Sequence, residues 1–484
     1  LITKATVVAA YDNNANTAYF DNVSLRMEPA QTYRYDSNGN PVAATQPGTG
    51  AESATYAANG IDLTGYTAAN GTKYTYTYNS AHDVTTAKVG GLTATTTYNA
   101  AGNVTGSKLT GSGTSLYLQS TVTATPDKNH VASVTDANGD TTSYTYNADG
   151  QVTKITNAAG KATTYTYDSA TLRASSTFRA GIANIDYGYT GGMLTSLDRK
   201  TFRSGTAQHQ YYYFAYNAWG QPTTTKVGSR TLSTNAYYAY NGTQTGAGGN
   251  LKQTTYGNGD SISYSYDSFD RLIKTRYNDT GDEILYTYNA EGSLAQLELR
   301  RNSTTVGIFS YEYDSLGRLI RSRQTDGTNT IQRTEHLYDA ANRLKQQNYT
   351  VGNKSFTTNY TYSSTDGLLT SMKTAQGATI GYTYDGLKRQ KKTTVTSGSS
   401  TVLTTKYAYR TVSGDQTSTQ PEYYKVIKGN GDGTSTATIL EGAKYTYDAA
   451  GNITMISESI SPFRKLVEYQ YDKQNQLVSA KYYT

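Results

Sequence analysis

The sequence lacks several residue types that catalysis, cross-linking and membrane insertion depend on. Its 484 residues include no cysteine, seven prolines, four histidines and one tryptophan. Without cysteine the chain has no disulfide framework, no thiolate metal ligand and no cysteine nucleophile. No apolar run approaches the roughly 20 residues of a membrane-spanning helix, and residues 1–30 lack the pattern of a signal peptide. The chain starts at Leu1 rather than methionine, which predicts a fragment or a processed product.

Charge does not indicate a nucleic-acid partner. The chain carries 43 Lys and Arg against 37 Asp and Glu, a net charge of +6. A nucleic-acid interface would cluster its basic residues on one surface. The longest basic run, Lys388-Arg389-Gln390-Lys391-Lys392, is short and is typical of a solvated strand edge. We therefore expect neither a nucleic-acid partner nor a membrane span.

Tyrosine dominates the aromatic residues. The chain has 48 tyrosines, against 8 phenylalanines and 1 tryptophan. Disordered chains typically combine few aromatic residues with a high net charge, and this chain has neither property. The composition therefore indicates an ordered chain, rich in turns, in which tyrosine supplies much of the buried surface.

A short motif recurs along the chain and accounts for the tyrosine content. Its consensus is Tyr-x-Tyr, then Asp or Asn, two variable residues, Gly, one variable residue, and Leu or Val. We count 17 copies, and degraded copies near Tyr56 and Asp127 bring the total to about 19 units. The second tyrosine of each copy stands at or near Tyr35, Tyr78, Tyr98, Tyr146, Tyr167, Tyr189, Tyr216, Tyr240, Tyr266, Tyr288, Tyr313, Tyr338, Tyr362, Tyr384, Tyr409, Tyr447 and Tyr471.

Each motif position has a physical reason. Residues two apart in a strand project from the same face, so the two rings lie side by side. The Asp or Asn side chain starts a turn by bonding to the backbone two residues on, and Gly tolerates the left-handed conformation of a tight hairpin. We predict structural roles for four clear copies: Tyr144, Tyr146, Asn147, Gly150, Tyr286, Tyr288, Asn289, Gly292, Tyr311, Tyr313, Asp314, Gly317, Tyr445, Tyr447, Asp448 and Gly451.

A second turn separates successive copies, as at Thr325-Asp326-Gly327-Thr328. Strand, turn, strand, turn within about 22 residues indicates antiparallel hairpins in series. The predicted fold class is all-β, a continuous antiparallel β-hairpin meander of about 38 strands. At roughly 4.8 Å per strand, the strip would be about 180 Å long, and one closed turn of it would be about 60 Å across.

The motif resembles the YD repeat of the rearrangement-hotspot (RHS) family, over roughly residues 31–484. The same repeat occurs in bacterial wall-associated proteins, cage subunits of insecticidal toxin complexes and animal teneurins. The resemblance implies that residues 29–484 wind as a spiral strip into a hollow shell or tube, secreted or on the bacterial cell surface. It also implies a partner, which is the remainder of the same polypeptide with a C-terminal toxin, or further copies of the chain. No Asp-Pro dipeptide of the family's self-cleaving core occurs here, so cleavage and cargo are not assigned.

The first residues carry a separate pattern. The segment from Thr17 to Leu25 resembles the last strand of a carbohydrate-binding jelly roll, a module that precedes YD repeats in some surface proteins. Residues 1–28 are too few for a whole sandwich. They are interpreted either as the final strands of such a module or as an ordinary lead-in strand.

Candidate sites are few. His82, His130, His209 and His336 are scattered, and no Gly-x-Ser-x-Gly elbow accompanies them. The segments Asp36–Asn40 and Gly429–Gly433 resemble calcium loops but lack the downstream glutamate. We therefore expect no catalytic residue, no cofactor and no metal.

One turn position carries large apolar residues that the motif does not require. Trp219, Phe269, Leu316 and Leu387 each follow the repeat tyrosine by three residues. If they cap neighbouring hairpins, each is expected to be more than half buried. The alternative is a ridge of exposed contact residues.

Two functional hypotheses remain open. The first is a non-enzymatic shell that encapsulates or displays a toxin or adhesive module. The second is an extracellular fibre or tube of the same repeats, with adhesion or binding to a cell-surface glycan. An enzyme such as a glycan hydrolase is disfavoured, because the Asp and Asn residues of the motif already have roles in turns.

Overall fold

The computed structural model describes residues 32–45, 50–179, 183–203, 206–239, 248–431, 438–459, 464–472 and 476–483. The interpretation of residues 1–28 concerns a segment outside this range. The described residues form 38 strands and no helix, and none therefore forms a helix long and apolar enough to cross a membrane. The first nineteen strands are β1 (Thr32–Tyr35), β2 (Pro41–Thr45), β3 (Glu52–Tyr56), β4 (Leu63–Thr67), β5 (Lys73–Tyr78), β6 (Val84–Val89), β7 (Leu92–Tyr98), β8 (Val104–Gly111), β9 (Tyr117–Ala124), β10 (Val131–Thr135), β11 (Thr141–Tyr146), β12 (Val152–Thr156), β13 (Ala162–Tyr167), β14 (Ala174–Arg179), β15 (Ala183–Thr190), β16 (Met193–Arg203), β17 (Thr206–Tyr216), β18 (Pro222–Val227) and β19 (Arg230–Tyr237).

The remaining strands follow the same alternation of strand and turn. They are β20 (Leu251–Tyr256), β21 (Ser261–Tyr266), β22 (Leu272–Tyr277), β23 (Glu283–Tyr288), β24 (Leu294–Arg301), β25 (Thr304–Tyr313), β26 (Leu319–Thr325), β27 (Thr330–Tyr338), β28 (Leu344–Val351), β29 (Lys354–Tyr362), β30 (Leu369–Lys373), β31 (Ala378–Tyr384), β32 (Gln390–Ser397), β33 (Ser400–Ser413), β34 (Gln416–Lys428), β35 (Ile439–Tyr447), β36 (Ile453–Ser459), β37 (Arg464–Tyr471) and β38 (Leu477–Tyr483). Each strand pairs antiparallel with the next one in the chain, for example β23 with β24. The predicted all-β meander is confirmed.

Two kinds of turn alternate along the strip. We call the turns that follow the repeat tyrosine, between odd- and even-numbered strands, repeat turns. The turns at the opposite edge, between even- and odd-numbered strands, are return turns. The strip therefore has one edge of repeat turns and one edge of return turns.

The repeat turn is held by its Asp or Asn side chain, as the sequence predicts. In the turn after Tyr313, the Asp314 carboxylate accepts from the N–H groups of Leu316 and Arg318, both at 3.0 Å. Gly317 has a φ of 75°, the left-handed conformation that glycine adopts without strain. Where glycine is absent, Asn342 and Lys388 take the same conformation at the corresponding position.

A bulge precedes the repeat tyrosine in nearly every repeat hairpin. In the β11–β12 hairpin, Thr145 pairs with Lys154 but Tyr146 pairs with Val152, so Thr153 is the extra residue. The same shift occurs before Tyr288 and Tyr409. Because a bulge bends its strand and increases the local twist, its repetition along one edge curves the strip.

The strip closes on itself after 26 strands. Tyr117 in β9 and Gln416 in β34 form a parallel bridge, and the Tyr117 N–H donates to the Asp415 carbonyl at 3.1 Å. At about 4.8 Å per strand, this turn is about 40 Å across. The diameter of about 60 Å expected from the sequence assumed that all strands belong to one closed turn. The real turn is narrower because the strip winds past its own beginning.

Few side chains in the strip are fully buried. Ile427, Thr404 and Ser418 are the largest described side chains with no meaningful exposure, and all three lie in the β33–β34 hairpin. Elsewhere the repeat tyrosines are half-buried and the residues between them are exposed, as in β11. The wall is thus a single sheet, stabilised by contacts between neighbouring hairpins rather than by a deep core.

Candidate functional site: the tyrosine ladder, the seam and the rims

The repeat tyrosines link each hairpin to the one before it. The Tyr313 hydroxyl donates to the Leu294 carbonyl at 2.9 Å, and Leu294 opens the return strand of the preceding repeat hairpin. Sixteen tyrosines make this bond, with distances from 2.7 to 3.3 Å: Tyr56, Tyr78, Tyr98, Tyr146, Tyr167, Tyr216, Tyr237, Tyr266, Tyr288, Tyr313, Tyr338, Tyr362, Tyr384, Tyr409, Tyr447 and Tyr471. We call this series the tyrosine ladder.

The ladder changes one assignment made from the sequence. The copy placed at Tyr240 has Tyr237 in the ladder instead, bonded to the Pro222 carbonyl at 2.8 Å. Strand β19 ends at Tyr237, and the turn that follows is longer than the consensus allows. Tyr240 itself lies outside the described residues.

Burial protects the ladder from ionisation. Burial raises the pKa of the Tyr266, Tyr384 and Tyr409 hydroxyls above their ordinary value, although Arg389 lowers that of Tyr409 in part. A hydroxyl that stays protonated keeps its donor role. The ladder therefore remains intact over the pH range in which free tyrosine is neutral.

Four repeat turns add an ion pair that reaches the next hairpin. Arg318 donates from Nε and Nη2 to Asp314 Oδ2, at 2.7 and 2.6 Å, and its guanidinium lies over the Tyr338 ring, 4.7 Å from the centroid. Burial of the Asp314 carboxyl raises its pKa, but the Arg318 donors outweigh burial and lower it overall. Equivalent sets are Asp267–Arg271–Tyr288, Asp339–Arg343–Tyr362 and Asp385–Arg389–Tyr409.

In other repeat turns, an amide side chain takes the place of arginine. Gln151 accepts from Asn147 in its own turn and donates to the Leu172 carbonyl of the next turn at 2.7 Å. Asn103 donates in the same way to the Lys128 carbonyl at 3.0 Å. The residue four after the Asp or Asn thus ties neighbouring turns together along the repeat-turn edge.

A seam joins the overlapping parts of the spiral. It brings return turns from the first thirteen strands against repeat turns from the last twelve. The recorded contacts are Gly50 N–H to the Ala340 carbonyl at 3.2 Å, Thr419 N–H to Asn138 Oδ1 at 3.2 Å, and Lys161 Nζ to the Asp472 carbonyl at 2.7 Å. The wall is therefore sealed edge to edge, turn against turn, rather than by strand pairing along its whole length.

The seam is packed tightly enough to require glycine. A Cβ on Gly111, at the end of β8, would lie 1.8 Å from the Gly386 carbonyl oxygen.

Nearby in the seam, Asp140 faces other carboxylates. Burial and the charges of Asp136 and Asp448 raise its pKa, and Arg410 opposes this in part.

The seam explains why the four apolar turn residues differ in burial. Leu387 is 4% exposed, in a turn that the β8–β9 return turn covers, and Leu316 is half-buried. Trp219 and Phe269 are 69% and 73% exposed. The expectation that each is more than half buried is therefore wrong for these two, because no described return turn lies over their part of the edge.

The histidines have separate structural surroundings. His82 Nδ1 lies 3.0 Å from the Asp62 carboxylate, and the His130 ring stacks on Tyr146 at 4.6 Å between centroids. His336 occupies a repeat tyrosine position, where burial lowers its pKa. Among the described residues, no group of three or more His, Cys, Asp or Glu side chains is placed to hold a metal ion.

One strand face carries an exposed aromatic stripe. His209, Tyr211 and Tyr213 stack in series along β17, with ring centroids 5.6 and 6.4 Å apart. His209 Nδ1 lies 3.0 Å from the Asp198 carboxylate in β16. The stripe lies on the face opposite the tyrosine ladder, since its residues alternate with Phe214 and Tyr216 of the motif.

A family model identifies the repeat. The model described as the RHS repeat matches residues 127–161, 146–183 and 247–283, and each range contains a repeat turn. The chain contains RHS repeats. The tyrosine ladder and the repeat turns are therefore features of RHS repeats in this chain.

Solved structures are similar to this chain. The Tc holotoxin pore of Photorhabdus luminescens is similar at 14% identity and a TM-score of 0.52, over 92% of this chain and 24% of that one. TcdB2–TccC3 without its hypervariable C-terminal region is similar at 11% identity and a TM-score of 0.45, over 94% and 33%. This RHS chain thus spans about a quarter to a third of their length. At 14% identity, the likeness to the holotoxin pore shows the fold alone. No curated protein matches the sequence.

Sequence reasoning missed two features of the site. It assigned the tyrosine rings to packing and gave no role to their hydroxyls. It also overlooked the arginines four residues after the turn aspartate, at Arg271, Arg318, Arg343 and Arg389. The recurring Asp-x-x-x-Arg spacing was the available signal, because it puts a guanidinium within reach of the aspartate and of the next tyrosine.

Proposed function

We propose that residues 29–484 act as one unit, the non-enzymatic wall of a hollow shell that encloses a protein module, such as a toxin, carried by the same polypeptide. The observation that carries this proposal is the closure of one continuous sheet, through β9 and β34, into a turn with no deep core. A single-layer wall of 38 strands is suited to separating an interior from solvent. A secreted or cell-surface location belongs to the same proposal.

The dimensions favour a small or unfolded cargo. A turn about 40 Å across loses about 5 Å on each side to side chains, which leaves a lumen about 30 Å wide. A folded domain of about 100 residues has a radius of gyration of about 13 Å and would fill or exceed that width. The wall fits an extended or partly folded chain better than a compact domain.

Protease protection of the cargo in the full-length protein tests this function. Gly111→Ala places a Cβ 1.8 Å from the Gly386 oxygen and is expected to open the seam. Gly307→Ala is the matched control, because its Cβ would meet nothing closer than 3.8 Å. Cargo should be protected in the wild type and in Gly307→Ala, and cleaved faster in Gly111→Ala. Equal cleavage rates in all three proteins would contradict enclosure.

A second candidate is a surface fibre that binds glycans. The exposed stripe of Tyr211 and Tyr213 favours it, because stacked rings on an open strand face bind sugar rings. Titration of the protein with cell-wall oligosaccharides tests this candidate. Tyr211→Ala should weaken binding, whereas Tyr35→Ala, at an exposed tyrosine outside the stripe, should leave it unchanged. No saturable binding by the wild type would exclude the glycan function.

A further inference from the structure

Three lysines stand directly opposite one another on adjacent strands. Lys392 in β32 pairs with Lys406 in β33, and Lys406 pairs with Lys425 in β34. Residues directly opposite share a face of the sheet, and Lys444 in β35 is the diagonal neighbour of Lys425 on that face. The face is the one opposite the tyrosine ladder, because Lys406 is three residues from Tyr409 of the ladder. We call these four lysines the lysine row.

The lysine row is by itself an unfavourable arrangement for the sheet, because like charges directly opposite each other destabilise a strand pair. In β25–β27, by contrast, the same face alternates in charge: Arg321 stands between Glu312 and Glu335, at 2.6 and 3.1 Å. The row instead ends opposite Thr383 in β31 and Gly442 in β35, and neither residue is acidic. An anion bound along the row would reduce this repulsion.

A cavity of about 310 Å³ opens at one end of the row, and Tyr423, Lys425, Gly442, Lys444 and Ser457 are among its lining residues. Gly442 lies between Lys425 and Lys444 on this face, so its missing side chain leaves the space open. Lys425 Nζ is 5.2 Å from the centroid of the Tyr423 ring, and Ser457 stands opposite Lys444. The cavity thus combines an aromatic ring, a hydroxyl and two ammonium groups.

These groups suit a sugar ring that carries a negative charge. The volume is at the small end of the range for ligand sites, about 300–1,000 Å³, which fits one ring better than a folded protein. The Tyr423 ring offers a surface for the apolar face of a sugar, and ammonium groups bind a carboxylate through charged hydrogen bonds. A strand of nucleotides would need several aromatic rings for successive bases. Beside the row, however, the same face carries Thr394, Thr404 and Ala408.

We propose that the cavity and the lysine row bind a linear acidic polysaccharide whose sugar rings carry carboxylates. One ring occupies the cavity, with its carboxylate between Lys425 and Lys444. The carboxylates of the following rings contact the remaining two lysines of the row. Neighbouring strands are about 4.8 Å apart, which is close to the length of one sugar unit, so the charges of the ligand match those of the row. The site is separate from the aromatic stripe on β17, and the proposal does not depend on the enclosure of cargo.

Calorimetric titration of the full chain with a short oligogalacturonate tests the proposal. Lys425→Gln removes a charge from the centre of the site and should weaken binding at least about tenfold, the loss expected for one charged hydrogen bond. Lys154→Gln is the matched control, because Lys154 lies on the same face between Thr145 and Thr164, outside the row. It should bind like the wild type, and circular dichroism should show that both variants keep the sheet.

Two further ligands separate recognition of a charged sugar from recognition of charge alone. The methyl ester of the same oligogalacturonate keeps the rings and loses the charge, whereas an oligoglutamate of equal charge lacks the rings. Both should bind at least about tenfold more weakly than the oligogalacturonate. Tyr211→Ala, which removes part of the aromatic stripe, should leave oligogalacturonate binding unchanged.

Three results would overturn the proposal. The first is no saturable binding of the oligogalacturonate by the wild type. The second is equally tight binding of the methyl ester or of the oligoglutamate, since an acidic protein segment would then fit the site as well as a sugar does. The third is equal weakening by Lys425→Gln and Lys154→Gln, or a loss confined to Tyr211→Ala, which would assign the binding to the stripe.

Discussion

Replacement of Leu387 by alanine tests whether the seam holds the spiral together. Leu387 is 4% exposed and lies where the β31–β32 turn meets the β8–β9 turn. Truncation of a buried leucine costs about 2–5 kcal/mol, and more where the surroundings do not collapse into the space. Since backbone atoms line the site at Gly111 and Gly386, we expect about 3 kcal/mol.

The stability lost in the Leu387→Ala variant should be confined to the seam. Hydrogen exchange measured by mass spectrometry reads opening energies segment by segment, which suits a repeat strip better than one global midpoint. Protection should fall in β8, β9 and the turn of Leu387, and stay unchanged in β21–β24. Leu316→Ala is the matched control. Its side chain holds the same turn position and is only half-buried, so we expect about 1 kcal/mol. Equal losses for both variants, or unchanged exchange in β8, would refute the account of the seam.

Further predictions follow from the ladder and the turns. Tyr313→Phe should lower the free energy of unfolding by about 1 kcal/mol in urea titrations, because its hydroxyl bonds to the Leu294 carbonyl; Tyr35→Phe, at an exposed hydroxyl outside the ladder, should change it little. Because folding raises the tyrosine pKa values, to about 12 for Tyr424 through its bond to Glu441 and burial, stability should be intact below pH ~10 and fall as the pH rises through the folded values. Absorbance of ionised tyrosine and circular dichroism should then change together; independent ionisation without unfolding would contradict this. The Asp314 pKa is lowered in the fold, so Asp314→Asn should destabilise at neutral pH, and the difference from wild type should shrink as the pH falls through the folded value. Asp140 has a raised pKa, so Asp140→Asn should increase the thermal midpoint at pH 7, and no increase would contradict its placement among carboxylates.

The all-β class and the strand count could be predicted because the motif is local. Tyr-x-Tyr and the Asx-x-x-Gly turn, as at Tyr313 to Gly317, set face, turn and register within ten residues. Each unit therefore determines its own strands and turns, and the number of units gives the number of strands.

The diameter and the seam could not be predicted in this way. How far the strip curves depends on the bulge before each repeat tyrosine, and the motif does not reveal that Thr153 is unpaired. The contact of Lys161 with Asp472 joins residues 311 positions apart and follows only from that curvature. For the same reason, nothing in the sequence distinguishes the turn of Phe269 from that of Leu387.

The tyrosine ladder gives the strip a direction of growth. Each hydroxyl reaches back to a carbonyl of the hairpin made just before it, as Tyr167 does to Val152 at 2.7 Å. During synthesis, the carbonyl that accepts the tyrosine hydroxyl of each new hairpin has therefore already been made. The bond does not depend on any residue that follows in the chain. The wall can assemble hairpin by hairpin from the N-terminal end. Only the closure at β34 and the contacts of the seam require distant partners, and those partners, such as β9, come earlier in the chain.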